Sequence, residues 1–344
     1  MAREIGILTA SGAVGRLGGN RANFARLCRA AQRAGVECSV FNVDPGGQVS
    51  CHRWRSGDRA FLRVERELPG TLYNRIPLRS WEGRDATAGL LAAWAAQGRT
   101  VTNPRFLQKA EVGRLWNASD ALRSFVPAQE EWIVPEQLAA FVLRHRSVYV
   151  KPLAGKAGIG IVRVRHSGGR YEAVLQQAGA TRVWTGLSAS ALQRLLWRAN
   201  RYLLQEDADC ALVDGRKFDL RLLFHRVPGG AFSLTGTGVR VGPPGGITTH
   251  VPNGGSLARP SDVLPAVFGA RAARVDALAK QVAQQAADAV TGLPGVWCEL
   301  SLDMGLSRAG GPRLFEANAK PMKFDEPDIE RLAKRRLVEF LGAL

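Results

Sequence analysis

The chain has 344 residues, 46% of them apolar, and carries a formal net charge of +17. That length exceeds one ordinary domain and admits two or three, each able to bury its own core, and the apolar share excludes a disordered or fibrous chain. The basic excess favours an acidic partner such as a nucleotide or acidic peptide, but the basic residues are spread along the chain and only 8 of the 47 are lysine; without an aromatic-plus-basic recognition module, no nucleic-acid partner is expected. Five cysteines (Cys28, Cys38, Cys51, Cys210, Cys298) are scattered with no C-x-x-C pair, the usage of a reduced, cytoplasmic protein. The N-terminal apolar run is too short for a signal peptide, and no run approaches the roughly 20 apolar residues of a membrane span.

In chain order, residues 5–8 read as a strand, followed by the glycine-rich S-G-A-V-G-R-L-G-G-N and a helix over 24–34 that Gly35 stops. A second strand, 36–43, ends at Asp44. The glycines at 12, 15, 18 and 19 do not fit G-x-G-x-x-G, so a small α/β domain is expected here rather than a dinucleotide site. Residues 51–80 look irregular, with a strand tip before Pro77 that carries Arg75, and 86–97 read as a helix. Helix is expected directly after Pro104, carrying Lys109, then a short strand near 132–134 and a helix over 135–144.

Residues 147–150 form a strand that runs into K-P-L-A-G-K-A-G-I-G. A glycine loop between strands brings backbone N–H groups close to a ligand, and Lys151 at the strand end adds a compact positive charge; both suit phosphates, although a plain turn has the same composition. A helix over 192–199 and a strand over 202–206 follow. Residues 217–224 are a strand with Asp219 and Arg221 on one face, either a structural ion pair or the lining of a site. Another strand carries Arg240. The loop 243–256 holds His250 and Asn253, and Ser261 caps one long helix to about 287.

Residues 296–321, V-W-C-E-L-S-L-D-M-G-L-S-R-A-G-G-P-R-L-F-E-A-N-A-K-P, read as two strands joined by a polar turn, the first half-buried. Asp303 then lies near Glu316 and Asn318, which leave the second strand on one side. Two carboxylates and an amide oxygen suit magnesium, which takes oxygen ligands and leaves positions for water and phosphate. The chain closes with a basic amphipathic helix over 327–344, expected to pack on the body.

Six motifs in this order resemble the ATP-grasp superfamily, and most closely its YheC/YheD-like branch: N-P-x-F-L-x-K, K-P-x-x-G-x-x-G-x-G, Q-E, F-D-L-R, a G-G loop, and L-D-M followed by F-E-A-N-A-K-P-M-K-F-D. The resemblance implies an α/β (α+β) ATP-grasp fold: a Rossmann-like pre-ATP-grasp domain over 1–102, a lid-bearing central lobe over 103–203, and a C-terminal lobe with the metal site over 204–344. It implies ATP and two Mg2+ ions (or Mn2+) as cofactors. Lys109 and Lys151 would hold the phosphates beneath a lid of Gly155, Gly158 and Gly160. Gln205 and Glu206 would read the adenine edge, with Leu204 and Leu314 packed on the ring and Asp219 near the ribose. Asp303, Glu316 and Asn318 would bind metal. Arg221, Arg240, His250 and the amides of Gly254 and Gly255 would serve the acyl-transfer step.

T-H-V-P-N-G-G departs from the S-N-L-x-R-G-G of related ligases, with His250 and Asn253 at the asparagine and arginine positions, and Lys156 replaces a small residue. The implied activity is ATP-dependent joining of a small-molecule or peptide carboxylate to an amine through an acyl phosphate, by a cytoplasmic protein, with the homodimer an assembly common in such families. The alternative is an inactive ATP-binding protein of the spore or cell envelope.

Overall fold

A computed structural model describes residues 3–155, 158–177, 179–197, 202–322, 324 and 326–344. They are organised around three sheets. The first holds β1 (Glu4–Ala10), β2 (Glu37–Val43), β3 (Val49–Arg55), β4 (Ala60–Val64), β5 (Thr71–Asn74) and β6 (Thr100–Thr102), in the order β4-β3-β2-β1-β5-β6. β2, β1, β5 and β6 run parallel, which demands crossovers: α1 (Arg21–Arg33) joins β1 to β2, and the short α2 (Arg79–Glu82) with α3 (Asp85–Ala96) joins β5 to β6. The stretch expected to be irregular contains the β3–β4 hairpin. Its strands are half-exposed and arginine-rich, so the apolar alternation that betrays a strand is weak there.

The second sheet is an antiparallel set, β11-β10-β9-β8-β12-β7, built from β7 (Gln129–Trp132), β8 (Ser147–Pro152), β9 (Val162–Ser167), β10 (Arg170–Gln177), β11 (Ala180–Leu187) and β12 (Tyr202–Glu206). Between them come α4 (Lys109–Asn117), which precedes the sheet, α5 (Glu136–His145) and α6 (Ala189–Leu196). Leu138, Phe141, Val148, Val150, Val164 and Leu192 form its core. The expected break at 203/204 falls inside β12, all of which is hydrogen-bonded into this sheet. The expected helix after Pro104 begins only at Lys109. α4 lies between the second and third sheets: Arg114 pairs with Glu131 of β7 at 2.9 Å, while Val112 and Trp116 sit in the core of the third, where the Trp116 indole donates to the Ala286 carbonyl at 3.1 Å.

The third sheet has β13 (Leu212–Val213) paired to β14 (Arg216–Arg226), and the order β16-β15-β14-β17-β18 with β15 (Phe232–Val241), β16 (Ser256–Ala258), β17 (Glu299–Leu306) and β18 (Pro312–Asn318). Two helices, α7 (Pro260–Phe268) and α8 (Ala272–Ala289), cover one face. One long helix was expected; Gly269, at φ 54°, breaks it. Leu300, Leu302, Met304 and Leu306 of β17 pack on Val282, Ala283 and Ala286 of α8. The alternate residues Glu299, Ser301 and Asp303 face the other way but are buried as well, so the strand expected to be half-buried is covered on both faces.

The closing helix, α9 (Pro327–Leu341), lays Leu337, Val338 and Leu341 on Ile5, Phe24 and Leu27 of the first sheet's core. It thereby ties the two ends of the chain. No helix among the described residues is long and apolar enough to cross a membrane.

Candidate functional site

The site forms where the polar face of the third sheet meets the second sheet and the segment leading into α4. Register sets its centre. Arg221 on β14, Asp303 on β17 and Glu316 on β18 stand opposite one another across three strands, and Asp219 stands opposite Arg240. The ladder slips between Asp303 and Met304: Asp303 pairs with Glu316 but Met304 pairs with Leu314, so Phe315 is the extra residue of a bulge. This slip places Leu314 in the core while Glu316 faces the site.

Lys109, at the start of α4, donates to Glu316 Oε2 at 2.6 Å, and Asn318 Nδ2 donates to the other oxygen at 3.1 Å. Burial works against the Glu316 charge, but Lys109 outweighs it and holds the carboxyl well below its usual range. Arg240 makes a two-pronged bond to Asp219, both contacts at 2.9 Å, and its guanidinium reaches Asp303 Oδ2 at 2.9 Å. Burial alone would lower the Arg240 pKa; Asp219 and Asp303 outweigh it and together hold it above its ordinary range. Asp219 also accepts from the Thr249 hydroxyl at 2.6 Å. Arg221 does not pair with Asp219: it donates to the Met322 carbonyl at 3.0 Å and lies 4.7 Å from the Phe324 ring.

Asp303 is 5% exposed, and its Oδ1 has no hydrogen-bond partner. Burial raises its carboxyl above the usual range. An orphaned buried carboxylate oxygen beside a second carboxylate and an amide is what a hard cation satisfies, so Asp303, Glu316 and Asn318 fit a magnesium ion.

Lys151, at the end of β8, donates to Gln205 Oε1 and sits between the rings of Tyr149 and Phe315, at 5.6 and 5.5 Å. Burial pulls its pKa down to about 8. Gln205 Nε2 donates to Gln129 at 3.1 Å, and the Glu206 carboxylate accepts from the Ala128 amide at 3.1 Å. Leu204 and Leu314, expected to pack on a purine ring, are fully buried in two separate lobe cores and offer no surface to it. Tyr149 and Phe315 are the half-buried rings beside Lys151. The bulge explains the error at Leu314, because alternation alone would put it on the same face as Glu316.

The glycine loop folds back over the third sheet. Gly155 donates to the Pro152 carbonyl at 3.1 Å, and Gly160, at φ 74°, lies on the Pro152 ring. Gly158, at φ 72°, lies so close to the next loop that a Cβ there would stand 2.7 Å from His250 Nδ1 and 2.9 Å from Asn253 Nδ2. Lys156 lies outside the described residues. Asn253 is 1% exposed and braces Gly158 by donating to its carbonyl at 3.4 Å.

Gln176 of β10, which the sequence does not distinguish from other strand residues, pins the loop. It accepts from the Ile247 and Thr248 amides at 2.9 and 3.2 Å and donates to the Asn253 carbonyl at 2.9 Å. The amides of Gly254 and Gly255, expected to cradle an oxyanion, already donate to the carbonyls of Val251 and His250, at 3.0 and 3.2 Å. Gly255 is required for close approach instead, since a Cβ would stand 2.2 Å from the Thr249 carbonyl oxygen. Burial, with Arg240 nearby, depresses the His250 pKa to about 4, so the ring is neutral at pH 7. Among the described residues, one ligand atom each from His250, Asp303 and Glu316 lie within 4.8 Å of one another.

Two further clamps escaped sequence reasoning. Asn103 donates to the Ala319 carbonyl at 2.7 Å and accepts from the Cys298 amide at 2.9 Å, holding the ends of both metal-corner strands. Arg75 is neither solvated nor free for substrate: it is buried against Glu299 at 2.7 Å, which also accepts from the Tyr73 hydroxyl at 2.5 Å.

The sequence profile described as YheC/D like ATP-grasp matches residues 98–343, more than half the chain. The chain belongs to the YheC/D-like ATP-grasp family. It is 24% identical over 353 aligned residues to the endospore coat-associated protein YheD of Bacillus subtilis (strain 168), covering 93% of this chain and 73% of that one. Its fold is that of the ATP-grasp ligases. The VanG D-Ala:D-Ser ligase of Enterococcus faecalis superposes with a TM-score of 0.58 at 11% identity, covering 99% of this chain and 98% of that one. The D-alanine–D-alanine ligase of Coxiella burnetii gives 0.56 at 13% identity, covering 98% and 95%. In this YheC/D-like chain Lys109, Lys151, Asp219, Arg221, Asp303 and Glu316 of the family motifs reach the junction of the second and third sheets, while Lys320 pairs with Glu82.

Proposed function

We propose that this chain is an ATP-dependent carboxylate–amine ligase that forms an amide bond and releases ADP and phosphate. The observation that carries the reading is the convergence of Lys109, Lys151, Arg240 and the Asp303–Glu316–Asn318 corner, delivered by separate elements, on one junction roofed by Gly158. ATP would lie between the second and third sheets, phosphates toward the two lysines and adenine toward Gln205, Glu206, Tyr149 and Phe315.

A substrate carboxylate oxygen attacks the γ-phosphorus, the bond to ADP breaks, and an acyl phosphate results. The amine nitrogen then attacks the acyl carbon, the carbon–oxygen bond to phosphate breaks, and the amine loses a proton. Phosphoryl transfer of this kind depends on positioning and charge neutralisation rather than a protein nucleophile. Magnesium held by Asp303, Glu316 and Asn318 supplies neutralisation of phosphate oxygens. Lys151, Arg221 and Arg240 supply fixed positive charge for the transferring group. With its pKa at about 4, His250 is too weak a base to hold the amine proton; the departing phosphate is the stronger base and takes it. The substrates are small-molecule or peptide carboxylates and amines. The three sheets correspond to a pre-ATP-grasp domain, a central lobe and a C-terminal lobe, in a cytoplasmic protein.

The name of the B. subtilis relative favours a second reading: an ATP-binding protein of the spore coat without ligase chemistry. Incubation with Mg-ATP and paired carboxylates and amines, followed by mass spectrometry and ADP release, separates the two. A product lighter by one water than its parents, formed with stoichiometric ADP, supports the ligase. Tight ATP binding with no ADP from any pair sinks it and leaves the coat protein.

A further inference from the structure

His250 is held in place from several sides. Its loop neighbour Thr249 donates to Asp219, the Ile247 carbonyl accepts from Tyr149 at 3.0 Å, and Gln176 grips the Ile247 and Thr248 amides. These bonds hold the loop that carries His250, and the ring lies under Gly158, where a Cβ would stand 2.7 Å from Nδ1. One ligand atom each from His250, Asp303 and Glu316 fall within 4.8 Å of one another. Ligand bonds of about 2.0–2.2 Å place any two ligands of one ion no more than roughly 4.4 Å apart, so a closing of a few tenths of an ångström completes a set.

A second observation is independent of that spacing. His250 Nδ1 and Asp303 Oδ1 are both buried without a hydrogen-bond partner, and the Asp303 side chain is 6% exposed. Buried polar atoms ordinarily find partners. His250 Nδ1 lies against Gly158, so the orphan that marks an incomplete group in this corner is the Asp303 carboxylate oxygen.

We propose that His250 is a direct ligand of the ion held by Asp303 and Glu316, making this corner a mixed nitrogen–oxygen site that prefers a first-row transition cation, such as Mn2+ or Co2+, to Mg2+. Oxygen donors suit magnesium; an imidazole in the set shifts preference toward metals that bind nitrogen well, in the order Mn2+ < Co2+ < Zn2+. The proposal rests on the ligase reading only in taking Asp303 and Glu316 as the metal corner.

The test uses the full chain without nucleotide. Mn2+ binding is followed by electron paramagnetic resonance, coordination by 14N modulation in the electron spin echo of the bound ion, and selectivity by competition with Mg2+. The wild type should show directly coordinated 14N. His250→Asn and His250→Gln should lose it, bind Mn2+ about tenfold or more weakly, and weaken Mg2+ binding much less; melting curves establish that both variants fold. Bound Mn2+ without 14N coupling, an unchanged Mn2+/Mg2+ preference in both variants, or no Mn2+ binding at millimolar concentration overturns the proposal. None of these results touches the ligase reading, which is judged by ATP binding and ADP release in magnesium.

Discussion

Arg240→Met is the sharpest test of how the centre of the site is held. The guanidinium lies between Asp219 and Asp303, with contacts of 2.9 Å to each. These carboxylates are 6% and 5% exposed. Removing one partner of a buried ion pair costs about 3–5 kcal/mol, because the remaining charge stays desolvated. Here two carboxylates lose their shared cation, although Thr249 still donates to Asp219. A loss of about 4 kcal/mol lowers the melting temperature by roughly 8–16 °C when the unfolding unit is a lobe of some 150–250 residues.

The pH dependence has a definite sign. Burial already raises the Asp303 carboxyl and Arg240 opposes it, so without Arg240 the folded variant holds the Asp303 proton to higher pH and loses stability as pH rises through that window. Wild type also holds that proton below about pH 6, so the gap between wild type and variant widens from about pH 6 to about pH 8. The measurement is thermal unfolding by tryptophan fluorescence, without nucleotide or divalent ions. Asp219→Asn added to Arg240→Met should recover part of the loss, since one orphaned charge is removed. A variant that melts within about 2 °C of wild type at pH 8, a shift worth less than ~1 kcal/mol, would refute the triad as a buried ionic unit.

Four further outcomes follow from the same geometry. Glu316→Gln should lower ATP turnover by about 10³-fold or more while retaining the fold, because it removes a metal-binding charge and leaves Lys109 its amide oxygen; near-normal ADP release would sink the site assignment. Lys151, with its pKa pulled down to about 8, loses its charge as pH rises through that value, so ATP affinity measured by calorimetry should fall from about pH 7 to about pH 9. Lys151→Met should show a flat profile over the same range. Gly158→Ala places a Cβ 2.7 Å from His250 Nδ1 at a backbone φ of 72°; a cost of about 1–2 kcal/mol should speed nucleotide dissociation in stopped flow. Burial raises the Glu299 carboxyl, but Arg75 and His225 outweigh it and set the pKa at about 2. Its stability contribution, roughly 3 kcal/mol, is present above the unfolded carboxyl pKa and is lost as pH falls toward about 2; Glu299→Gln should lose that acid-limb slope.

The chain order of motifs was legible because each rests on local chemistry. A lysine ends a strand, glycines make a tight loop, an acid and an amide stand two apart on one strand face, and none of this depends on distant residues. From it came the pairing of β17 with β18 and the grouping of Asp303, Glu316 and Asn318, while the ATP-grasp fold and the roles of Lys109 and Lys151 followed from the resemblance of the motifs, in order, to that family. Only the tertiary structure decided what sequence distance hides. The bulge at Phe315 reverses the phase of β18 and sends Leu314 to the core. Covering of the third sheet on both faces buries Asp303, Glu299 and Ser301 on what alternation marks as a polar side. Asp219 pairs with Arg240, 21 residues away on the neighbouring strand, rather than with Arg221 on its own face. Periodicity in a sequence reports which residues share a face; what covers that face, and which charge meets which across strands, is set by packing between segments far apart in the chain.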